Sequence, residues 1–164
     1  MKILLTQCEK QVRITEQAVA TICQLFDAEV AHSLLNHKQN QIVVTEQVLQ
    51  AAGSNWENGK DIMALLLDHQ GDQIHITETV IKAATCNWRS GKEVIALLLS
   101  RCRDQIEITD DVVRTAATNW INGKELIALL LDQGDDRINV AQEAAMTIHE
   151  VFDTDIAKLL LDRR

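Results

Sequence analysis

Three glycine–lysine pairs are the first feature of the sequence that suggests chemistry, because Gly-Lys occurs in phosphate-binding loops. They lie at residues 59/60, 91/92 and 123/124. The segment from Gly53 to Lys60 has one residue too many between its glycines, and Asp61 stands where such a loop needs a metal-binding Ser or Thr. The other two copies lack the first glycine. We therefore reject a nucleotide-binding loop.

The lysines of these pairs define a weaker candidate, an anion site. Lys60, Lys92 and Lys124 are predicted to lie in the first turn of a helix, where the helix dipole disfavours a cation. Together with free N–H groups of the preceding glycines, this column would hold a small anion. The simpler interpretation, which we favour, is that each lysine pairs with an acidic residue and covers apolar surface with its stem.

A column of tryptophans, Trp56, Trp88 and Trp120, accompanies the lysines at a fixed offset. An aromatic ladder of this kind would grip a peptide, a sugar or a methylated lysine. Alternatively, one Trp per repeat at the turn between two helices is a wedge between neighbouring repeats. We favour packing, because Phe26 and Phe152 lie near the same turn in the outer copies.

Catalytic and metal-binding patterns do not emerge from the other reactive side chains. The histidines, His32, His37, His69, His75 and His149, show no ligand spacing, and there is no Cys-x-x-Cys. The cysteines lie too far apart on stacked repeats to form disulfides, which is typical of a cytoplasmic protein. We expect no enzyme activity, metal or cofactor.

The elements that position these residues follow from an internal repeat. Residues 44–75, 76–107 and 108–139 align without a gap, each 32 residues long. Copies at 14–43 and 140–164 lack two residues where the others carry Asn-Trp, and residues 1–13 match the tail of a repeat. The chain is therefore half a repeat followed by five, in a single repeat domain.

Each repeat predicts two helices. The first begins after a threonine (Thr15, Thr45, Thr77, Thr109), a good N-cap, and Asn58, Ser90 and Asn122 are predicted to cap the second. The second helix is apolar nearly all round, which indicates burial between neighbours. Short helices of this kind must stack to bury their faces. We predict an all-α fold, an α-solenoid of stacked helical hairpins of the HEAT, armadillo or ankyrin kind without β-hairpins.

Composition narrows the function. The 164 residues are 46% hydrophobic and 24% charged, with a net charge of −8. An acidic chain disfavours nucleic acid, which needs a basic surface. No apolar run is long enough to span a membrane.

The run of Asn-Trp, Gly-Lys and Ala-Leu-Leu-Leu at fixed offsets resembles a short repeat found in tandem in large fungal proteins. Those proteins often combine it with ankyrin repeats and a NACHT-type nucleoside-triphosphatase, in the manner of NLR-like immune receptors. The resemblance implies a recognition or scaffolding array, free-standing or part of a larger protein. It implies no activity of its own.

Positions that vary between the matched repeats are the candidate binding surface. Two columns fall near the helix ends, on the two rims of the stack: Glu57, Arg89 and Ile121, and His75, Glu107 and Asn139. We expect a protein or peptide partner there. The alternatives are a small anion or modified peptide on the Gly-Lys and Trp columns, and end-to-end self-association of open ends.

Overall fold

The computed structural model describes residues 14–37, 42–70 and 74–132. Within these ranges it contains eight α-helices and a 3-10 helix at Arg103–Gln105. In chain order the α-helices are α1 Glu16–Leu25, α2 Ala28–His37, α3 Glu46–Gly53, α4 Gly59–Gln70, α5 Glu78–Cys86, α6 Gly91–Arg101, α7 Asp110–Thr118 and α8 Gly123–Asp132. The half repeat at 1–13 and the last copy at 140–164 lie outside the described residues.

The helices form two layers. The first helices of successive repeats pack side by side, α1 on α3, α3 on α5 and α5 on α7. The second helices form the other layer in the same way, α2 on α4, α4 on α6 and α6 on α8. This stack of helical hairpins confirms the predicted all-α repeat fold.

The core lies between the two layers. Val48, Leu49 and Ala52 of α3 are fully buried, and so are Ile62 and Leu66 of α4, because their spacing of three and four residues places them on one helix face.

The second helices are less buried than their composition predicts. In α6, Lys92, Glu93 and Ala96 are exposed and Leu97 is half-buried. The predicted burial between neighbours therefore holds for one face of the helix and not for its outer face. Each second helix has a buried face toward the first layer and its neighbours, and an outer face toward solvent. No helix in the described ranges is long and apolar enough to cross a membrane.

The stack has two long edges. One edge consists of the residues that join the two helices of each hairpin, 26–27, 54–58, 87–90 and 119–122, and we call it the turn edge. We call the connector edge the segments that join one hairpin to the next, 42–45, 74–77 and 102–109. Because each hairpin reverses the chain direction, the turns and the connectors lie at opposite ends of the helices.

Threonine caps begin the first helices. The hydroxyl oxygens of Thr15, Thr45 and Thr109 accept hydrogen bonds from backbone N–H groups three residues later, as predicted. Thr77 makes no such bond. Its hydroxyl instead donates to the carboxylate of Glu46 in the preceding repeat, at 2.8 Å.

The Glu46 carboxylate gives the first testable prediction. Hydrogen bonds from Thr79 and Thr77 lower its pKa below the usual value for a glutamate. A lowered pKa in the folded state gives stability that is present above the pKa of the unfolded chain and lost as pH falls through the folded value. We expect Thr79→Val to raise the Glu46 pKa, measured by NMR titration. Thr115→Val is the control, because the Thr115 hydroxyl donates within its own helix. Equal Glu46 pKa values in both variants would contradict this assignment.

Candidate functional site

Buried asparagines connect the repeats at the turn edge. Asn55, Asn87 and Asn119 are each less than 5% exposed. The side-chain Nδ2 of each donates to two backbone carbonyls of the preceding repeat. The acceptors are Cys23 (3.0 Å) and Phe26 (2.9 Å) for Asn55, Gly53 and Asn55 (both 2.9 Å) for Asn87, and Thr85 (2.8 Å) and Asn87 (3.3 Å) for Asn119. We call this column the asparagine ladder.

The other half of each amide shapes its own turn. Oδ1 of Asn87 accepts hydrogen bonds from the backbone N–H groups of Arg89 and Ser90, both at 3.1 Å. Oδ1 of Asn55 and Asn119 accepts equivalent bonds in their turns. In each amide, Nδ2 therefore donates to the preceding repeat, and Oδ1 accepts from the backbone of its own turn.

The ladder corrects the predicted capping of the second helices. Ser90 precedes α6 but makes no side-chain cap. Its hydroxyl donates to the carbonyl of Asn55 at 2.8 Å and lies 2.9 Å from Nδ2 of Asn87. Asn122 likewise donates its Nδ2 to the carbonyl of Trp88 at 2.6 Å. These side chains contact the preceding repeat because the ladder asparagine already satisfies the turn.

The recurring glycines have a packing role. A Cβ on Gly91 would overlap the backbone carbonyl oxygen of Ala84, and one on Gly59 would lie 2.8 Å from the Ser90 hydroxyl. The N–H groups of Gly91 and Gly123 donate to the carbonyls of Asn87 and Asn119. The premise that these two N–H groups are free for an anion was therefore wrong.

The lysine column lies on the solvent side of the second helices. Lys60, Lys92 and Lys124 are exposed, and each is followed by an acidic residue, Asp61, Glu93 and Glu125. Within the described part of the chain none of the three lysines forms an ion pair. The favoured pairing is thus absent, and anion binding by this column stays a prediction.

The tryptophans form a ladder of rings outside the asparagines. The ring centroids of Trp56 and Trp88 are 5.5 Å apart at 84°, and those of Trp88 and Trp120 are 5.8 Å apart at 46°. The expected contact between neighbouring repeats is therefore present. The rings differ in burial, because Trp88 is half-buried whereas Trp56 is 54% exposed and Trp120 is 77% exposed.

The turn edge gathers the exposed apolar side chains. In the described ranges, six large hydrophobic residues are exposed. Five lie on or next to the turn edge: Leu25, Phe26, Trp56, Trp120 and Ile121. The sixth, Val43, lies at the connector edge.

The predicted rim residues divide between the two edges. Glu57, Arg89 and Ile121 lie on the turn edge, each next to a tryptophan. Nη1 of Arg89 lies 3.0 Å from Oε1 of Glu57, an ion pair between neighbouring repeats. His75 and Glu107 are exposed on the connector edge. Asn139 lies outside the described residues.

Away from the turn and connector edges, the described residues contain no cluster of thiols or metal-ligating side chains. Cys23, Cys86 and Cys102 are free thiols, and burial raises the pKa of Cys23 to about 12, which makes it unreactive. No set of three metal-ligating side chains comes together within the described ranges. An open groove of about 710 Å³ between α2 and α4 includes His32, His37 and Asp61 in its lining.

This arrangement defines a helical-repeat protein whose turns are connected by buried amides. The chain belongs to the family described as Domain of unknown function (DUF7104), whose family model matches residues 34–63, 65–94 and 97–126. No curated protein and no solved structure matches the chain.

The family matches agree with the repeat in length but begin at a different point. Each match starts in the second helix of one hairpin and ends in the second helix of the next, so each includes one complete turn. The predicted short tandem repeat is thus confirmed. The predicted relation to NLR-like proteins is not part of this match.

The asparagine ladder can be tested by changing Asn87 in two ways. Asn87→Ala removes both halves of the amide, whereas Asn87→Asp keeps the acceptor and removes the donor. We expect each to reduce the free energy of unfolding by about 3 kcal/mol or more, since several buried backbone groups lose partners. Urea unfolding measures both. If Asn87→Asp were as stable as wild type, the hydrogen bonds from Asn87 to the preceding repeat would not contribute to the free energy of unfolding.

The tryptophan ladder predicts a graded effect. Trp88 contacts two rings, so Trp88→Ala should cost about 1–3 kcal/mol of stability, since each aromatic pair contributes about 0.5–1.5 kcal/mol. Trp120→Ala, which loses one described ring contact at a more exposed site, should cost less. Thermal and urea unfolding of both variants will compare them. A larger loss for Trp120→Ala would contradict this order.

Proposed function

We propose that this chain is a non-catalytic protein-interaction module that binds its partner through the turn edge. The observation that carries the proposal is the concentration of exposed large hydrophobic side chains on that edge. Contiguous exposed apolar patches mark interaction sites on folded proteins. Exposed Trp and Arg side chains are also the residues that dominate binding energy at protein interfaces.

The internal organisation of the turns supports the proposal. In three of the four described turns a buried asparagine is followed by a tryptophan, whereas the next residue changes from Glu57 to Arg89 to Ile121. A constant scaffold therefore presents a side chain that differs from repeat to repeat. Solenoids use repeated frames of this kind to form extended binding surfaces.

The connector edge is a weaker candidate because its exposed residues are mostly polar. His75 and Glu107 are exposed there, and an ion pair joins Arg101 to Asp68 of the preceding repeat.

The proposal extends to the cell compartment and to the kind of assembly in which the module acts. The free thiols of the described cysteines favour the cytoplasm, where thiols stay reduced. The resemblance of the repeat to arrays in NLR-like proteins favours a recognition or scaffolding role within a larger assembly. Anion binding by the lysine column is less favoured, because two of the glycine N–H groups it would use already donate within the protein.

Site-specific photo-crosslinking tests which edge binds. A photoreactive amino acid at Ile121 on the turn edge should give crosslinked adducts in cells that make the protein. The same amino acid at Glu107 on the connector edge is the matched control. We expect adducts from the first position and few from the second, identified by mass spectrometry. No adducts from Ile121, or equal amounts from both positions, would contradict the proposal.

A further inference from the structure

The order of side chains along the turn edge is the starting point. The first repeat presents Leu25 and Phe26, and the fourth presents Trp120 and Ile121. Between them, the second repeat presents Trp56 and Glu57, and the third presents Arg89 beside the half-buried Trp88. Over the four described turns, apolar side chains therefore lie in the outer turns, Asp27 accompanies the first of them, and the two middle turns add one acidic and one basic residue.

This order is complementary to itself under two-fold symmetry. A two-fold axis through the edge, midway between the second and third repeats, exchanges the first repeat with the fourth and the second with the third. Glu57 of one copy then faces Arg89 of the other, and apolar ends face apolar ends. Such a contact is isologous, which is the commonest way in which proteins form closed dimers.

Charge supports a second copy of this chain as the occupant. The chain has a net charge of −8, so most pairs of surfaces from two copies repel each other. In the turns of the second and third repeats, the negative charge of Glu57 and the positive charge of Arg89 cancel. Asp27, the other charged residue of the described turns, accepts a hydrogen bond from the N–H of Val30 at the start of α2. That bond does not remove the charge of Asp27, so Asp27, Glu57 and Arg89 together give the described turns a net charge of −1, which leaves only weak repulsion between two copies at this edge.

The existing ion pair is compatible with such a contact. The guanidinium of Arg89 has five N–H donors, and the described bond to Glu57 uses Nη1. Its remaining donors are sufficient for a second carboxylate. Two copies of the pair would form a cluster of four charges in which each acid lies between two arginines.

We propose that two copies of this chain dock edge to edge through the turn edge as a two-fold dimer, with Glu57 of each copy against Arg89 of the other. The proposal rests on the proposed function, since it uses the same surface and specifies its partner. It differs from stacking of the open ends of the solenoid, because it does not involve the terminal repeats' outer faces.

Reversing the charge of Glu57 or of Arg89 in the full 164-residue chain tests the contact. Light scattering over a concentration series should show wild-type particles that approach twice the chain mass of 18.4 kDa. Glu57→Arg and Arg89→Glu each place like charges opposite one another, and should weaken dimerisation by about tenfold or more. An equimolar mixture of the two variants should dimerise again, because opposite charges then face each other between different chains.

Controls separate folding from association. The double variant Glu57→Arg with Arg89→Glu restores both the pair within one chain and the contact between chains, so it should fold and dimerise like wild type. Glu107→Arg, on the connector edge, should not change the measured mass. Circular dichroism confirms that each single variant is folded.

The outcomes distinguish this inference from the proposed function. A chain that is monomeric at every concentration, or a variant mixture that stays monomeric, overturns the dimer. Dimers that do not respond to the substitutions overturn it as well. If the chain is monomeric but the photoreactive group at Ile121 captures a different protein, the interaction module stands without the dimer. If the chain is monomeric and Ile121 captures nothing, both proposals fail.

Discussion

The interaction on which the stack depends is the hydrogen bonding of a buried asparagine amide to the preceding repeat. The last carbonyls of an α-helix have no partner within the helix. Cys23, Gly53 and Thr85 lie at or near the ends of first helices, and their carbonyls accept from the asparagine of the next repeat. A following repeat that packed in place without its asparagine would leave such a carbonyl buried and unpaired, which costs free energy. The ladder therefore makes each repeat depend on its neighbour.

The ladder also determines what the turn edge presents. Because each amide binds both its own turn and the turn before it, successive turns are held in one register. The residue after the asparagine then points away from the core, and tryptophan rings from neighbouring repeats come within 5.5–5.8 Å. Close packing at Gly59 and Gly91 brings the second helices against the same turns. The exposed aromatic edge is thus a consequence of buried polar contacts.

Sequence patterns were sufficient for the helices but not for the turns. The 32-residue period and the threonine caps predict the hairpins, because apolar spacing and capping are local signals. The pair Asn-Trp was recognised as a repeated feature, but polarity alone predicts the reverse of what the structure shows. Asn87 is buried because backbone carbonyls of another repeat surround it, and Trp120 is exposed because it follows a buried residue in a tight turn. Recurrence of Asn at the same place in three turns was the available signal. The backbone carbonyls that these asparagines bind lie 29 to 34 residues away, beyond the reach of local patterns.

The exposure of Trp56 and Trp120 is the reason to propose the turn edge as the binding surface. If their role were only to hold repeats together, burial of the rings would provide far more stability than ring-to-ring contact in solvent. The asparagine ladder already connects the same turns through buried hydrogen bonds. A tryptophan that recurs three times, half-buried at Trp88 and exposed at Trp56 and Trp120, is therefore poorly explained by packing alone. The interface that we propose would exclude water from these rings and give them the burial that the isolated fold does not, and Glu57 and Arg89 would set the register of the partner.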